Sequence, residues 1–407
     1  MKKFGLLGEK LGHSYSPLIH SYLGSYPYLL FERNPDQVAD FFKDKSIVGF
    51  NVTIPYKKLA YELCDCVSDI AKETKSVNTV FKTNNHEILG ENTDYYGFLY
   101  TVKKSEIVFS GQKILILGSG GVSSTIALVA RDLSASSIVV LSRTGKDNYD
   151  NIYKHYDADI IINCTPVGMY PNNGKAIIDL AKFENLKALF DLIYNPYITK
   201  LMYDANSLNI PSFNGLTMLV AQAKKAAELF IGQNIADELV DTIVEDIKRQ
   251  TLNVILIGMP GSGKSSIGLH LSKITKRPFF DSDLEIEKRF GKSPATIIKT
   301  EGEDYFRKLE TQVLADLSKE KTSIIATGGG VVTRDENKYY LLQNSQLVYI
   351  KRSLHHLSTQ DRPLSLNMDL NKLYEARKDN YINWSNHHFD NIGIIETAQA
   401  IKKELGI

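Results

Sequence analysis

Residues 254–265 of the chain read VILIGMPGSGKS, and this stretch decides how the second half folds. The apolar run Val254–Ile257 predicts a buried strand, and Gly258–Ser265 match the pattern GxxxxGK[ST] in full. Glycines at such a turn let backbone N–H groups surround phosphate oxygens, and the N-terminus of the following helix adds positive potential. The stretch therefore predicts a phosphate-binding loop. We assign the phosphate contacts to Gly261, Ser262, Gly263, Lys264 and Ser266, and a bound Mg²⁺ to Ser265.

Charged residues further along indicate what accepts the phosphate. Asp281 and Asp283 follow the short apolar run Pro278–Phe280, which predicts a strand that delivers two carboxylates to the loop. The arginines that come later are Arg307, Arg362 and Arg377. Arginine clamps a carboxylate through two N–H groups, and an aspartate can hold and deprotonate a hydroxyl. The set favours a small acceptor that carries both a carboxylate and hydroxyl groups.

The order and approximate spacing of these motifs resemble shikimate kinase over nearly all of residues 254–407. The shared motifs are the phosphate loop, DxD at 281–283, FRxxE at 306–310, GGG at 328–330 and RPL at 362–364. The resemblance implies that Asp281 supports Mg²⁺ through water and that Asp283 binds the acceptor hydroxyls and acts as the base. It also implies a carboxylate clamp of Arg307 and Arg377, ring contacts from Gly329 and Gly330, and a lid residue, Arg362, that reaches the transferred phosphoryl group.

Residues 351–361 depart from that family's pattern. The family has a longer helix before the RPL motif, with an extra basic residue near the adenine, whereas here the segment is short. The departure bears on adenine contacts and lid closure but removes no residue assigned to the chemistry. A regulatory or weakly catalytic domain therefore stays open as an alternative. Taken singly, each arginine is also compatible with ordinary surface charge.

The first half contains a second glycine-rich turn. The apolar run Lys113–Leu117 predicts a strand that enters GSGGVSS at 118–124, where Ser123 replaces the third glycine of GxGxxG. Alone, this turn fits a structural connection as well as a dinucleotide site. The next apolar run, Ser137–Leu141, predicts a strand that leads into Ser142-Arg143-Thr144, and an arginine there suits the 2′-phosphate of NADP. Cofactor contacts are assigned to Gly118, Gly120, Gly121, Ser142, Arg143 and Thr144.

Polar clusters surround that turn in the sequence. They are His13–Pro17, Asn51–Lys57, Val77–Thr79, Asn92–Asp94, Asp191–Pro196 and Asn214–Gln222. Their order resembles shikimate dehydrogenase across residues 1 to about 248. The resemblance implies reduction of 3-dehydroshikimate by NADPH, with substrate contacts at Ser14, Ser16, Thr53, Asn78, Asp94, Tyr194 and Gln222. It implies further cofactor contacts at Gly215 and Met218.

The residues of these clusters suit the chemistry. Reduction of a ketone needs a proton for the developing alkoxide, and Lys57 can donate it while Asp94 positions the ammonium group. Out of context, Lys57 would be a solvated lysine after a turn, and Ser14 and Ser16 would cap a loop. We expect His13 to form a structural hydrogen bond, because the lysine–aspartate pair already fills the proton role.

The expected fold class is α/β, with a two-lobed dehydrogenase-like part containing a Rossmann lobe, followed by a P-loop domain of the nucleoside-monophosphate-kinase type with a parallel sheet. We place the catalytic lobe at 1–98 plus 214–249, the cofactor lobe at 99–213 and the kinase-like domain at 252–407. Residues 234–249 show apolar residues at helical spacing and predict the helix that precedes the boundary.

Both halves point to one metabolite, which predicts a bifunctional enzyme of aromatic amino-acid biosynthesis that uses NADP(H), ATP and Mg²⁺. Oxidation of quinate with NAD stays open as an alternative, although Arg143 disfavours NAD. The chain has 407 residues and a net charge of +1, which gives no electrostatic case for nucleic acid. We expect small-molecule partners, no membrane, no protein partner and a cytoplasmic location, because no apolar leader or long apolar run is visible.

Overall fold

The computed structural model describes residues 2–12, 14–357 and 370–407. The chain divides into two compact units. The first unit comprises residues 1–167, 176–194 and 204–245, and the second comprises residues 168–175, 195–203 and 246–407. Among the described residues, no helix is both long enough and apolar enough to cross a membrane.

The first sheet has six strands in the order β2-β1-β3-β5-β6-β4. Its strands are β1 (Lys3–Gly8), β2 (Tyr28–Glu32), β3 (Ile47–Val52), β4 (Cys66–Val67), β5 (Thr79–Lys82) and β6 (Ile88–Glu91). The strand–helix alternation predicted parallel sheets, but β5 runs antiparallel to both β3 and β6. Residues 83–87, which join β5 to β6, are too few for a crossover helix, so these two strands form a hairpin.

The second sheet also belongs to the first unit, and all five of its strands are parallel, in the order β11-β10-β9-β7-β8. Its strands are β7 (Lys113–Leu117), β8 (Ser137–Leu141), β9 (Ile160–Asn163), β10 (Ala188–Asp191) and β11 (Ser212–Asn214). The sequence predicted β7 and β8 with these bounds, and β7, which lies between β9 and β8, is buried from Ile114 to Leu117. The carboxyl ends of parallel strands meet at one edge, where ligands of such sheets bind.

Helices cover both sheets of the first unit. They are α1 (Ser16–Leu23), α2 (Val38–Lys43), α3 (Lys57–Leu63), α4 (Asp69–Thr74), α5 (Asp94–Ser105), α6 (Ser123–Asp132) and α8 (Leu216–Ile231). Two further helices, α7 (Lys200–Ser207) and α9 (Glu238–Thr251), each begin in one unit and end in the other. Short 3₁₀ helices span Pro35–Gln37, Ile152–His155 and Leu180–Lys182. Helices α5 and α8 pack closely at Gly97, where an added Cβ would lie 2.6 Å from the carbonyl oxygen of Met218. This close approach fixes Asp94, one turn earlier on α5, relative to Gln222 on α8.

Helix α9 differs from the prediction of 234–249 at both ends. It begins at Glu238, because the N–H of Ile235 donates to the Glu228 carboxylate at 3.0 Å in the preceding turn. It continues to Thr251, two residues past the predicted end at residue 249. Its buried face consists of Val240, Ile243 and Ile247.

The second unit contains a third sheet of five parallel strands in the order β13-β14-β12-β15-β16. Its strands are β12 (Asn253–Ile257), β13 (Phe279–Asp281), β14 (Ile324–Ala326), β15 (Ser345–Lys351) and β16 (His387–Asp390). Its helices are α10 (Lys264–Thr275), α11 (Ser282–Phe290), α12 (Pro294–Glu301), α13 (Glu303–Leu317), α14 (Glu336–Leu342), α15 (Leu370–Glu375), α16 (Lys378–Trp384) and α17 (Ile394–Leu405). Every residue of the central strand β12 is buried, and the phosphate-loop sequence begins at its carboxyl end.

Candidate active sites

A lysine–aspartate pair lies in the first unit. Lys57 is the first residue of α3 and Asp94 the first of α5, and the Lys57 Nζ lies 2.5 Å from the Asp94 Oδ2. The side chains are 19% and 10% exposed, so both are shielded but reachable. Asp94 also sits at a helix N-terminus, where the backbone favours a negative charge. The pair therefore forms a short, largely shielded hydrogen bond between an amine and a carboxylate.

Asn78 organises the polar side chains beside this pair. Its Nδ2 donates to Oε1 of Gln222 at 3.3 Å, and its Oδ1 accepts from the N–H of Thr93 at 2.7 Å. Gln222 Nε2 donates to the carbonyl of Leu219 at 2.9 Å, which orients the amide. Asn78 and Gln222 are buried. The residue before Asp94 is thus bonded to Asn78, and Asn78 to Gln222.

Ser14 and Ser16 lie at the start of α1. Ser14 Oγ donates to Ser16 Oγ at 3.1 Å and accepts from the N–H of Ser16 at 3.2 Å. The ring of Tyr15 contacts the ring of Tyr194 with centroids 5.4 Å apart. Burial raises the pKa of Tyr194 to about 12, so its hydroxyl is a neutral hydrogen-bonding group at physiological pH. Ser14, Ser16 and Tyr194 therefore lie close together around Tyr15 and offer three hydroxyl groups.

The glycine-rich turn connects β7 to α6. Gly118 has φ of +96°, a conformation that glycine adopts readily, and added Cβ atoms at Gly120 and Gly121 would meet nothing within 4 Å. The hydroxyl of Ser123 donates to the carbonyl of Gly120 at 2.7 Å. Ser123 therefore closes the turn with its own side chain, which explains how the loop forms without the third glycine.

Arg143 follows the next strand, β8. Arg143 and Thr144 are exposed, and the N–H of Ser142 donates to the carbonyl of Asp147 at 3.2 Å, which closes a turn around them. In the described part of the chain, no ion pair involves Arg143. An exposed guanidinium at the carboxyl end of β8 is placed to meet an anionic group on a bound dinucleotide.

The carboxyl ends of β9 and β10 are joined by side chains. Asn163 Nδ2 donates to Asp191 Oδ1 at 2.9 Å, and Thr165 Oγ1 donates to Asn163 Oδ1 at 2.7 Å. The methyl group of Thr165 would lie 2.8 Å from a Cβ added to Gly118. The loop after β9 therefore rests directly on the glycine-rich turn.

In the second unit, the phosphate loop is closed over its own lysine. Lys264 Nζ donates to the carbonyls of Gly258 and Met259, each at 2.9 Å. Ser265 Oγ donates to Asp281 Oδ2 at 2.6 Å, and Asp281 Oδ1 accepts from the N–H of Asp283 at 3.0 Å. The loop thus presents an ammonium group, a hydroxyl and a carboxylate side by side.

Two carboxylates face the same space above Gly328. A Cβ added to Gly328 would lie 2.7 Å from Glu310 Oε1 and 3.0 Å from Asp283 Oδ1. Neither of these buried oxygens has a protein hydrogen-bond partner within the described residues. Burial, with the nearby charges of Asp281 and Glu310, raises the pKa of Asp283 to about 6. Burial also raises the pKa of Glu310, and Arg307 opposes that rise.

Arg307 and Arg377 border the same space. Arg307 Nη1 donates to Glu310 Oε2 at 2.8 Å, and a Cβ added to Gly330 would overlap the Arg307 guanidinium. Arg377 Nη1 donates to the carbonyl of Gly329 at 3.1 Å. Both arginines are buried, at 6% and 7% exposure. Two guanidinium groups therefore lie beside the carboxylates of Asp283 and Glu310. Guanidinium groups suit a ligand carboxylate, and carboxylates suit ligand hydroxyls.

These groups share one cavity of about 990 Å³. Its lining includes Lys264, Ser265, Asp283, Arg307, Gly330 and Arg377. A second cavity of about 260 Å³ adjoins the phosphate loop and is lined by Gly263, Ser266, Arg352, Asn391, Ile392, Gly393 and Ile394. Arg352 Nη1 donates to the carbonyl of Gly261 at 3.3 Å, which fixes it against the loop. The larger cavity can hold an acceptor with phosphates, and the smaller one a planar base.

The comparisons with known proteins agree with this geometry. Residues 6–80 match the family model for the shikimate dehydrogenase substrate binding domain, and residues 260–405 match that for shikimate kinase. A shikimate dehydrogenase (NADP(+)) of Clostridium perfringens (strain SM101 / Type A) is 32% identical over 269 residues, which cover 61% of this chain and 99% of that protein. The chain belongs to the shikimate dehydrogenase family. Its C-terminal part is a shikimate kinase domain, so both resemblances are confirmed.

Solved structures support the same assignment of the dehydrogenase part. A chorismate mutase/shikimate 5-dehydrogenase fusion protein from Clostridium acetobutylicum is 33% identical, with a TM-score of 0.58 over 61% of this chain and 97% of that chain. A shikimate 5-dehydrogenase from Thermus thermophilus, solved with NADP(H) and shikimate, is 25% identical, with a TM-score of 0.56 over 60% of this chain and 99% of that chain. The predicted α/β fold class is confirmed.

Most of the side chains assigned from the sequence lie together in two groups. In the dehydrogenase part, Lys57 bonds to Asp94, and Asn78 bonds to Gln222 and to the N–H of Thr93, the residue before Asp94. Thr53 is half-buried, and its methyl group would lie 2.7 Å from a Cβ added to Gly8 at the end of β1. Gly215 lies against the loop after β10, where its N–H donates to the carbonyl of Ile193 at 3.0 Å, and Met218 is buried on α8. His13 and Arg362 lie outside the described residues.

Several residues that complete the sites were not assigned from the sequence. Asn51 Nδ2 donates to Thr79 Oγ1 at 3.0 Å, and Thr79 shares a 2.9 Å hydrogen bond with Thr93 beneath Asn78. Asn163 and Asp191 form the bonded pair at the strand ends. Each of these residues ends or flanks an apolar strand, which was the available signal. In the kinase domain, Glu310 belongs to the FRxxE motif, but the sequence indicated no role for it.

Proposed function

We propose that this chain catalyses two consecutive reactions of aromatic amino-acid biosynthesis. The first is reduction of 3-dehydroshikimate to shikimate with NADPH, and the second is phosphorylation of shikimate to shikimate 3-phosphate with ATP. The observation that carries the proposal is that each part of the chain holds a group able to transfer a proton, next to a charged partner. These are Lys57, bonded to Asp94 in the dehydrogenase part, and Asp283, facing Arg307 in the kinase cavity. We expect both reactions to take place in the cytoplasm.

In the reduction, NADPH supplies a hydride to the ketone carbon. Lys57 donates a proton to the oxygen as its negative charge develops, so the carbonyl becomes a hydroxyl and the lysine regains a proton from water. Asp94 stabilises the ammonium group before transfer through the 2.5 Å hydrogen bond. Ser14, Ser16, Asn78 and Gln222 offer neutral hydrogen bonds that a polyol satisfies, and a ligand without those hydroxyls would leave them unpaired.

The residues around the first glycine-rich turn fit NADP. The open space over Gly120 and Gly121 lets a pyrophosphate approach the backbone. The exposed guanidinium of Arg143 suits a 2′-phosphate, because arginine forms paired hydrogen bonds with phosphate. Ser142 and Thr144 flank it with hydroxyl groups. Gly215 lies against the loop that carries Tyr194, because its N–H donates to the carbonyl of Ile193. Gly215 and Met218 are proposed to contact the cofactor.

In the phosphorylation, ATP supplies the γ-phosphoryl group. Asp283 accepts the proton of the acceptor hydroxyl as that oxygen bonds to phosphorus and ADP departs. Its pKa of about 6 leaves Asp283 mostly ionised at neutral pH while keeping it an effective base. Lys264 can leave the carbonyls of Gly258 and Met259 to meet the phosphates, and Arg362 is proposed to reach the transferred group.

Mg²⁺ fits the oxygens next to the phosphate loop. Ser265 supplies a hydroxyl and Asp281 a carboxylate 2.6 Å away, and hard oxygen donors of this kind suit Mg²⁺. Magnesium sites built on phosphates use only one or two protein ligands. The ion would neutralise phosphate charge, and Ser265 and Asp281 would hold it, with water between Asp281 and the ion.

The acceptor carboxylate is proposed to bind Arg307 and Arg377. Arg307 uses Nε and Nη2 toward Glu303 and Nη1 toward Glu310, which leaves two of its five N–H groups for a ligand. Gly329 packs against Pro260 and Gly330 against the Arg307 guanidinium, and both glycines are proposed to contact the ring of the acceptor. The acidic partners hold the clamp in place before the substrate arrives.

A single reaction tests both activities. The full chain is incubated with 3-dehydroshikimate, NADPH and Mg-ATP, and the products are identified by mass spectrometry. Shikimate 3-phosphate supports both assignments. Shikimate alone supports the reductase and leaves the kinase domain weak or regulatory. Unchanged 3-dehydroshikimate contradicts the reductase assignment, and turnover of quinate with NAD would then support the alternative.

A further inference from the structure

Two segments of the dehydrogenase sequence belong to the second unit, together with the kinase domain. They are residues 168–175, which follow the loop after β9, and residues 195–203, which follow the loop after β10. The four residues before the first segment, 164–167, include Thr165, whose methyl group rests on Gly118 in the cofactor turn. The residue before the second segment is Tyr194. Each segment therefore continues directly from a loop that borders the proposed dehydrogenase site.

Side chains at the end of α14 hold these segments. Tyr339 Oη accepts from the N–H of Gly174 at 3.1 Å, and its ring contacts Tyr203 with centroids 5.5 Å apart. Gln343 Oε1 accepts from Asn173 Nδ2 at 3.0 Å, and the Gln343 carbonyl accepts from the N–H of Ile198 at 2.8 Å. Tyr339 and Gln343 are 5% and 0% exposed, so the side of each hydrogen bond that belongs to α14 is shielded from water, whereas Gly174 is exposed.

The two segments are also bonded to each other. The N–H of Tyr170 donates to the carbonyl of Asn195 at 3.0 Å, and Gly168 approaches Thr199. Lys321 lies 5.8 Å from the ring centre of Tyr170 on the same side. The segments therefore form one supported piece of backbone rather than two independent loops.

Helix α14 has a fixed position relative to the kinase acceptor site. Asn337 Nδ2 donates to the carbonyl of Val331, directly after Gly330, at 2.8 Å. Asn337 Oδ1 accepts from Thr311 Oγ1 at 2.8 Å, and Thr311 lies one turn after Arg307 on α13. Helix α14, which holds residues 168–175, is thus itself bonded to the elements that carry Gly330 and Arg307.

We propose that Tyr339 and Gln343 of the kinase domain are positioning residues for the dehydrogenase reaction. By holding Asn173 and Gly174, they position the loop at 164–167 against the cofactor turn and so set the affinity for NADPH. The inference rests on the proposed reductase activity. It goes beyond that proposal, because it makes cofactor binding in one reaction depend on side chains of the other domain.

The test removes single hydrogen bonds in the full chain. Tyr339→Phe removes the acceptor for Gly174, and Asn173→Ala removes the donor to Gln343. We expect either change to raise the Kd of NADPH, measured by fluorescence titration, and its KM about 2- to 10-fold, which is the range for one partly shielded hydrogen bond. The kcat for reduction and both kinase constants should change less than about twofold, since neither residue touches a reacting group.

Two matched variants serve as controls. Tyr340→Phe removes the neighbouring hydroxyl, and Asn172→Ala truncates the exposed neighbouring amide, and both should leave NADPH affinity unchanged. Fluorescence of Trp384, the one tryptophan of the chain, checks that the second unit stays folded. If the parent chain reduces 3-dehydroshikimate and the two test variants bind NADPH as the parent does, the inference is wrong and the reductase assignment stands. If the parent itself neither binds NADPH nor reduces the ketone, the proposed function fails instead.

Discussion

The Nζ atom of Lys57 lies 2.5 Å from Oδ2 of Asp94, although the two residues begin different helices. Lys57→Met should lower kcat for ketone reduction about 10²- to 10⁴-fold, because the developing alkoxide loses its proton donor. Spectrophotometric NADPH oxidation measures the loss. Phosphorylation of added shikimate by the same sample should stay at the parent rate. Lys58→Met, at the exposed neighbouring position, is the control, and equal loss in both variants would contradict the assigned role.

The kinase reaction should weaken in acid. Burial raises the pKa of Asp283 to about 6, so the base becomes protonated as the pH falls through that value. We expect kcat/KM for shikimate to decline about tenfold per pH unit below about pH 6. Asp283→Asn should remove this limb of the profile and lower kcat about 10²- to 10⁴-fold. A profile of unchanged shape in the variant would assign the ionisation to another group.

Asp283 should also reduce the stability of the second unit at high pH. Its pKa is higher in the folded state than the usual 3.8, so folding favours the protonated form, and that contribution is lost as pH rises through about 6. The rise from 3.8 to about 6 corresponds to about 3 kcal/mol. Asp283→Asn should therefore raise the free energy of unfolding by up to about that amount at pH 8 and by roughly half at pH 5. Urea unfolding followed by Trp384 fluorescence measures the difference, and an equal gain at both pH values would argue against it.

Gly330 has no room for a side chain, because a Cβ would overlap the guanidinium of Arg307. Arg307 is buried and bonded to Glu303 and Glu310, so Gly330→Ala should displace one half of the carboxylate clamp and also lower the stability of the second unit. We expect KM for shikimate to rise about 10-fold or more, in line with the loss of a charge-assisted hydrogen bond. Reduction of 3-dehydroshikimate by the same polypeptide is the internal control. An unchanged KM would show that Arg307 does not bind the acceptor.

Arg143 should set the choice between the two dinucleotides. Arg143→Ser should raise KM for NADPH about 10-fold or more and leave KM for NADH nearly constant, because only NADPH carries the 2′-phosphate. Steady-state rates with each cofactor give the ratio. Lys146→Ser, at an exposed position three residues on, tests whether general positive charge suffices. A similar effect of both changes would replace specific recognition with simple charge attraction.

Much of the fold was predictable because the apolar runs are short and sharply bounded. Strands β7 and β8 have the predicted bounds, and the phosphate loop follows β12 as the pattern required. The antiparallel hairpin of β5 and β6 was not predicted, because strand–helix alternation carries no information about a five-residue connection. The start of α9 was predicted four residues too early. The turn before α9 is fixed by a hydrogen bond from the N–H of Ile235 to the Glu228 side chain on α8, and the apolar spacing carries no information about that bond.

The site was predictable to the level of motifs but not of contacts. Lys57 and Asp94 are 37 residues apart in sequence, and only the shared family pattern suggested that they meet. Nothing in the sequence indicated that the Ser123 hydroxyl closes the turn in place of a glycine, because that bond depends on the turn geometry. The roles assigned to the individual residues stay predictions until the variants are measured.

The division into units has a consequence for how the chain is made. Ribosomes build the protein from its amino end, so residues 168–175 and 195–203 emerge well before Tyr339 and Gln343 exist. At typical synthesis rates the delay is roughly 10–30 s. During that interval the dehydrogenase sheet can form, but the two segments lack their partners. The segments that continue the dehydrogenase loops therefore gain these hydrogen bonds only after translation has passed residue 343.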